Sequence, residues 1–264
     1  MGPVGRRRGG NSYDVDAQAI FNAFTTPPAD DIKTLINDTV TALKTASLWP
    51  IIDALVVASA ADSQAQTINW KSPGTYNLTL VNSPGFTAFK GFSPDGATSY
   101  GDTGFNPNTA VGANFQMDSG TIAVRVDTGQ AGNNSVIEMG NGNPGSVLQF
   151  RNGGNRGTGR INNNTVILTD TSFVSSGFMV VTRSAVSTSR LYRALLGVAN
   201  DNANPSTSLG QGNFMVGGNI VGGVPTPSST KRVNCYMIGG GFTSQNNTDF
   251  QNIMNAYMTA VGVV

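Results

Sequence analysis

Beyond Trp70 the chain changes rhythm: apolar and polar residues alternate in short runs, and a turn signal interrupts them roughly every ten residues. The runs TYNLTLV, FTAFKGF, TSYGDTGF, ANFQMD, TIAVRVD, SVIEMG, SVLQFR, TVILT, GFMVVTR, RLYRALLG, NFMVGG and VNCYMIGG are predicted strands. NPG, NGG, NNN and DNANP between them supply turn chemistry. Many short strands divided by Gly- and Asn-rich turns specify an all-β sandwich or barrel. Within this pattern Asp95-Gly96 is expected to join two neighbouring strands, with Phe92 and Tyr100 turned inward. The Gly/Asn-rich stretch from Asn141 to Asn164 is expected to form long hairpin tips.

Upstream the period is helical. Val15, Ala19, Ile20 and Phe24 share one face before the breaker TTPP. A second helix is predicted to open at Pro27 and Pro28, with Asp30 and Asp31 near the positive end of its dipole and Ile32, Leu35, Ile36, Val40 and Leu43 along one stripe. A third is predicted from Ser47, with Leu48, Ile51, Ile52, Leu55 and Val56 as its stripe. A last helix closes the sandwich: Thr248 and Gln251 form the expected capping box, Phe250, Ile253, Met254 and Tyr257 the apolar face, and Gly262 the stop. Such stripes must be covered either by the sandwich or by a neighbouring subunit.

Residue types narrow the chemistry. The chain has no histidine, so Ser-His-Asp and Cys-His arrangements and imidazole-bound zinc are excluded. Its one cysteine, Cys235, sits in the apolar run VNCYMI and reads as a small buried strand residue; no intrachain disulfide exists. Glu138 is the single glutamate, with no acid two or four positions away, so its strand cannot supply the second carboxylate that glycoside hydrolysis usually needs. It reads as a solvated or hydrogen-bonded strand residue. GNGNPG and RNGGNRGTG lack the spacing of a phosphate loop and read as turns. Asp95, Asp102 and Asn106 are oxygen donors of the kind calcium accepts, but without EF-hand spacing, and no cofactor is expected.

Charged residues are only 12% of the chain, the net charge is +1 and Gly reaches 33, which describes a neutral, amide-rich surface rather than a nucleic-acid-binding face. No apolar run is of membrane-spanning length, about 18 residues. The start MGPVGRRRGGN has no apolar segment directly behind its basic residues and is not expected to be a secretory signal; Arg6 stands where a myristoylation site needs Ser or Thr. Arg6, Arg7 and Arg8 are too few for binding through many phosphate contacts and are the candidate particle-anchoring residues.

The run NWKSPGTYNLTLVNSPGFTAFKGFSPDGATSYGDTGFNP resembles phage and prophage structural proteins that carry a concanavalin A-like (laminin-G-like) jelly roll behind a short helical segment. The resemblance is carried by Trp49, Asn69-Trp70-Lys71, Gly91-Phe92, Asp95-Gly96, Thr98-Ser99-Tyr100, the run Asp102 to Pro107, and Tyr257 with Gly262. It spans about residues 28–110 and 236–264; position 101 departs from it, with Gly where a Leu-like residue is usual. The resemblance implies a mainly β chain built as a concanavalin A-like antiparallel β-sandwich (jelly roll), preceded by an α-helical segment and closed by a C-terminal helix. Residues 1–13 are then a flexible basic arm, 14–66 a helical anchoring segment and 67–264 the sandwich. The role it implies is a non-enzymatic virion component, of head or tail, displaying a lectin-like sandwich. Its expected partners are other virion proteins and further copies of itself, with no nucleic acid and no membrane. The alternative is a carbohydrate-binding host-adsorption module whose partner is a host-surface glycan: Gly/Asn-rich rim loops hydrogen-bond sugar hydroxyls and aromatics stack on pyranose faces.

Overall fold

The computed structural model describes residues 13–127, 136–142, 145–152, 154, 156–165, 167–171, 176–201 and 203–263. Arg6, Arg7 and Arg8 lie outside these residues. In chain order the elements are α1 (Val15–Ala23), α2 (Asp30–Thr45), a 3-10 turn (Trp49–Ile51), β1 (Ile52–Val57), β2 (Thr79–Val81), β3 (Gly85–Thr87), β4 (Gly91–Ser93) and β5 (Tyr100–Asp102). Then come β6 (Gly120–Val126), β7 (Met139–Gly140), β8 (Gly145–Gln149), β9 (Gly157–Asn163), β10 (Leu168–Asp170), β11 (Gly177–Ala185), β12 (Thr188–Arg193) and β13 (Leu196–Asp201). The chain closes with β14 (Met215–Val216), β15 (Gly218–Val221), β16 (Val224–Pro227), β17 (Val233–Gly239) and α3 (Ser244–Ala260).

Two antiparallel sheets face each other, as the sequence predicts. The first runs β13-β12-β11-β6-β17-β4-β3, with β1 also paired to β17; the second runs β10-β9-β8-β7-β14-β5-β2; β15 and β16 form a separate hairpin. Alternation assigns the faces. In β17, Val233, Tyr236 and Ile238 point between the sheets, where they meet Phe92, Phe105, Phe115, Phe150 and Phe214. Cys235 and Met237 of the same strand point outward, with Ala123, Phe178 and Val180 of β6 and β11, and are fully or almost fully buried there too. The thiol of Cys235 is pushed up to about 12 by that burial, so it is an inert core group.

The helices are what cover this outer face. Ala17 and Ile20 of α1, Ile36, Val40 and Leu43 of α2, and Phe250, Met254, Tyr257 and Met258 of α3 share one apolar layer with Leu55, Val57 and Trp70. Each large side chain buried there contributes roughly 1.5–3 kcal/mol. The stripes on α2 and α3 therefore meet the sandwich of their own chain; α1 joins them through Ala17, Ile20 and Phe21, whereas Val15 and Ala19, expected on its stripe, are exposed. Ion pairing fixes the corner between the first two helices: Lys44 Nζ lies 2.6 Å from both Asp14 Oδ1 and Asp16 Oδ2. Arg125, an outward residue of β6, is accommodated by polar partners, donating to Asn234 Oδ1 at 2.6 Å and to Asn255 Oδ1 of α3 at 3.2 Å.

Several local expectations are corrected. Residues 52–57 are a strand, not the end of a third helix; Leu55 and Val57 bury outward and Ala54 and Val56 inward, the period of a strand covered on both faces. Helix α2 starts after the two prolines, at Asp30. Helix α3 begins five residues earlier than the expected Thr248/Gln251 box, capped by Thr243 and Asn246 in a reciprocal box, and stops at Gly262 with φ +79°. Asp95-Gly96 does not close a hairpin: β4 belongs to the first sheet and β5 to the second, so the turn is a corner between sheets. Phe92 is fully buried there and Tyr100 only half-buried. RLYRALLG is two strands, β12 and β13, turned at Ala194, whose φ is +50°. At the departing position, Gly101 pairs with Leu80 and Val216, and a Cβ there would lie 2.7 Å from Leu78 Cδ1, so Leu78 fills the space of a larger residue.

Gly91 opens β4 with φ +117°, and a Cβ on it would sit 1.9 Å from the carbonyl oxygen of Val233. Gly74 has φ +94° with nothing within 4 Å of its added carbon. Gly91→Ala is expected to lower unfolding free energy by about 2–5 kcal/mol, and Gly74→Ala by about 1–2 kcal/mol. Urea denaturation measures both; equal effects would contradict the close approach of β4 to β17.

Candidate functional site

At one rim of the second sheet, four segments enclose an open cleft of about 510 Å³. They are the end of β5 with the following loop (Asp102, Asn106), the residues after β7 (Asn141, Gly142), the loop before β14 (Gln211 to Asn213) and the β15–β16 hairpin (Ile220, Gly222, Gly223). The lining is amide, carboxylate and glycine backbone, with Ile220 as the apolar element.

Glycines make this arrangement possible. A Cβ on Gly210 would fall 2.3 Å from Asn141 Cγ, one on Gly145 2.7 Å from Asn141 Oδ1, and one on Gly140 2.5 Å from Asn219 Oδ1. Side-chain amides therefore press directly on bare backbone. Asn141 Oδ1 accepts from the Ser146 amide at 2.8 Å, and Asn219 Oδ1 accepts from the Gly142 amide at 2.8 Å. Arg160, almost wholly buried behind the cleft, donates to the Gly142 carbonyl at 3.1 Å. Asp102 Oδ1 accepts from the Gly104 amide and from Asn213 Nδ2, both at 2.9 Å.

Two polar atoms here lack a hydrogen-bond partner, and one of them is open to a ligand. The fully buried Asn141 Nδ2 has no hydrogen-bond partner, a costly condition in a native protein unless something else accepts from it. Asp102 Oδ2 accepts none of the hydrogen bonds formed among the described residues. A free acceptor thus lines the cleft, whereas Asn141 Nδ2, closed to solvent, is not offered to a ligand. A hydroxyl group, which can donate, is a ligand group that fits such an acceptor.

Of the calcium-type donors singled out in the sequence, Asp102 and Asn106 reach this cleft and Asp95 does not line it. Asp95 Oδ1 accepts from the amides of Ala97, Thr98 and Ser99 and its Oδ2 from the Thr98 hydroxyl, bonds that hold its carboxyl well below the usual carboxylate range. Its role is to fold the corner between the sheets. Among the described residues no three Cys, Asp or Glu side chains gather into a metal-binding group. Asn141 and Asn213 were not singled out by sequence; the signal that marks them is glycine interleaved with amides, in NGNPG and LGQGN.

Glu138 is not solvated. It is fully buried beside β7, its Oε2 accepting from the Phe150 amide at 2.7 Å, with the buried Lys231 as its charged neighbour. Lys231 Nζ stands 5.7 Å from the centroid of the Phe150 ring. Burial pushes the Glu138 carboxyl up to about 8, while the Phe150 hydrogen bond and the Lys231 charge pull it down. A carboxyl closed off from solvent in this way is a core group, and it takes no part in the cleft.

No family model and no curated protein matches the chain. Solved structures share its fold. A mutant Trypanosoma rangeli sialidase displaying trans-sialidase activity has a TM-score of 0.55 at 12% identity, over 87% of this chain and 40% of its own. Trypanosoma rangeli sialidase itself gives 0.53 at 11%, over 86% and 40%. The receptor binding domain of botulinum neurotoxin C/D mosaic serotype gives 0.57 at 7%, over 77% and 51%. At these identities the likeness is one of fold, and the chain spans about 40% of the length of the sialidases it matches. The likeness nonetheless corrects the expectation that the chain is no enzyme. The same sandwich occurs within sialidase chains, so the lack of a second acid beside Glu138 does not set this fold apart from enzymes.

Because the folded chain holds the Glu138 proton more tightly than an unfolded chain does, the group's contribution to stability is fully present below about pH 4.5 and is lost as pH rises through about 8. Glu138→Gln keeps the shape and removes the titration. Urea denaturation of both proteins across that range is expected to show the Gln variant gaining on the parent by a few kcal/mol, since each tenfold tightening of proton binding is worth about 1.4 kcal/mol. Parallel pH profiles would contradict the buried, proton-holding carboxyl.

Proposed function

We propose that the chain is a lectin-like binding module and that its ligand is a glycan held in the cleft between Asp102 and Asn141. The observation that carries this reading is the free acceptor Asp102 Oδ2 in an open, amide-lined cleft that also offers Ile220 as an apolar surface. Sugars present hydroxyls and C–H faces together, and a few convergent polar groups beside an apolar patch are what hold them. The fold likeness supports the reading: one neighbour is a toxin domain named for receptor binding, and another is a sialidase solved in complex with sialic acid.

The setting proposed for the module is the surface of a phage particle, with other virion proteins and further copies of the chain as partners. What supports this is the resemblance of residues 69–107 to phage and prophage structural proteins. Mass spectrometry of purified particles would detect the chain; particles without it would remove the setting and leave the glycan reading in place.

A glycan array probed with the full chain tests the binding function, followed by calorimetry on the best binder. Asp102→Asn, which keeps Oδ1 and removes the free acceptor, is expected to weaken affinity roughly five- to tenfold, the effect of one hydrogen bond. Gln211→Ala, at an exposed lining position that does not bear on folding, should weaken it by a smaller factor. An array without binding, or variants that bind as the parent does, would contradict the assignment.

A further inference from the structure

The charge of the cleft points in a direction that the fold likeness does not. Asp102 is the one ionisable residue of its lining; among the described residues no lysine or arginine contributes to it. The guanidinium of Arg160 lies behind the wall, committed to the Gly142 carbonyl and nearly closed to solvent. A carboxylate arriving on a ligand would therefore meet a carboxylate, with no cation beside it.

We infer that the cleft selects uncharged sugars and rejects sialylated and other acidic glycans, with Asp102 as the residue that sets the choice; this rests on the glycan reading above. Two consequences of geometry carry it. Asp102 Oδ2 can only accept, so the ligand group opposite it must donate: a hydroxyl does and a ligand carboxylate does not. Like charges within a few ångströms at a half-buried site also repel by on the order of a hundredfold in an equilibrium constant. The same acceptor that attracts a hydroxyl therefore excludes an anion, which is how a site rejects a near relative of its ligand.

The test is an array of glycans carried in matched pairs, with and without the terminal sialic acid, read for the full chain and for Asp102→Asn. The substitution keeps an Oδ1 to accept from Gly104 and Asn213 and replaces the free oxygen with an amide. The parent is expected to bind the desialylated member of each pair and to leave the sialylated member near background. Raised salt should narrow that gap, since the repulsion is screened. Asp102→Asn is expected to reduce the discrimination by about tenfold or more. Preference of the parent for sialylated members would overturn the inference while leaving a glycan site in place. Discrimination unchanged in Asp102→Asn would remove Asp102 from the role. Binding to neither member of any pair would overturn the glycan reading itself, and the inference with it.

Discussion

The first sheet is apolar on both of its faces, and the rest of the structure follows from that. A sheet exposed on one side reads apolar and polar in alternation, but β17 and β1 place apolar side chains on both sides: Val233, Tyr236 and Ile238 one way, Cys235 and Met237 the other; Ala54 and Val56 one way, Leu55 and Val57 the other. The second sheet covers the inner face with Met139, Leu148, Ile161, Leu168 and Val216, joined by Phe105, Phe115, Phe150 and Phe214 from segments beside the strands. The outer face needs a second cover, and α1, α2 and α3 provide it from both ends of the chain. Trp70 marks the seam, meeting Tyr257 of α3 edge to face with ring centroids 5.2 Å apart. The helices are thus a third layer of the body, and with both faces of its first sheet covered the sandwich can hold its loops in fixed positions at the rim.

That rigidity is used at the cleft. The composition that looks like turn material, rich in Gly and Asn, is largely a buried amide network in which each amide needs a glycine beside it: Gly210 and Gly145 beside Asn141, Gly140 beside Asn219. The network fixes loops that are far apart in the chain, for instance Asn213 onto Asp102 and Asn219 onto Gly142. Between the sheets, Arg183 of β11 does comparable work, donating from Nε and from a terminal nitrogen to the Ile161 carbonyl of β9 at 3.2 Å. Buried polar groups satisfied in this way specify one arrangement of loops rather than several.

The sandwich was legible because alternation and turn chemistry are local. TIAVRVD, GFMVVTR and VNCYMIGG each lie on a central strand of the first sheet. Reading failed where tertiary contacts decide. LWPIIDALVV carries an apolar stripe at helical spacing, but a run apolar on two faces fits a buried strand equally well, and pairing with β17 settles it. Strand β9, GTGRINN, has no apolar alternation at all: Gly159 makes room for Leu191 and Val181 of the facing sheet, and Asn162 is held by the carbonyls of Gln116 and Met117. The site was half legible. Asp102 and Asn106 stood out as oxygen donors, but their neighbour Asn141 becomes meaningful only once the fold brings β7 and the loop before β14 to the same rim.

Whether helices and sandwich unfold as one cooperative body can be measured because the chain has two tryptophans and both lie in the helix-to-sheet layer. Their fluorescence reports that layer, and far-UV circular dichroism near 217 nm, roughly the β-sheet minimum, reports the strands, so one urea titration follows both. Coincident transitions with the same midpoint are expected of one body. A tryptophan transition completed at lower urea, with the strand signal intact, would show the helices to be a detachable appendage and contradict it.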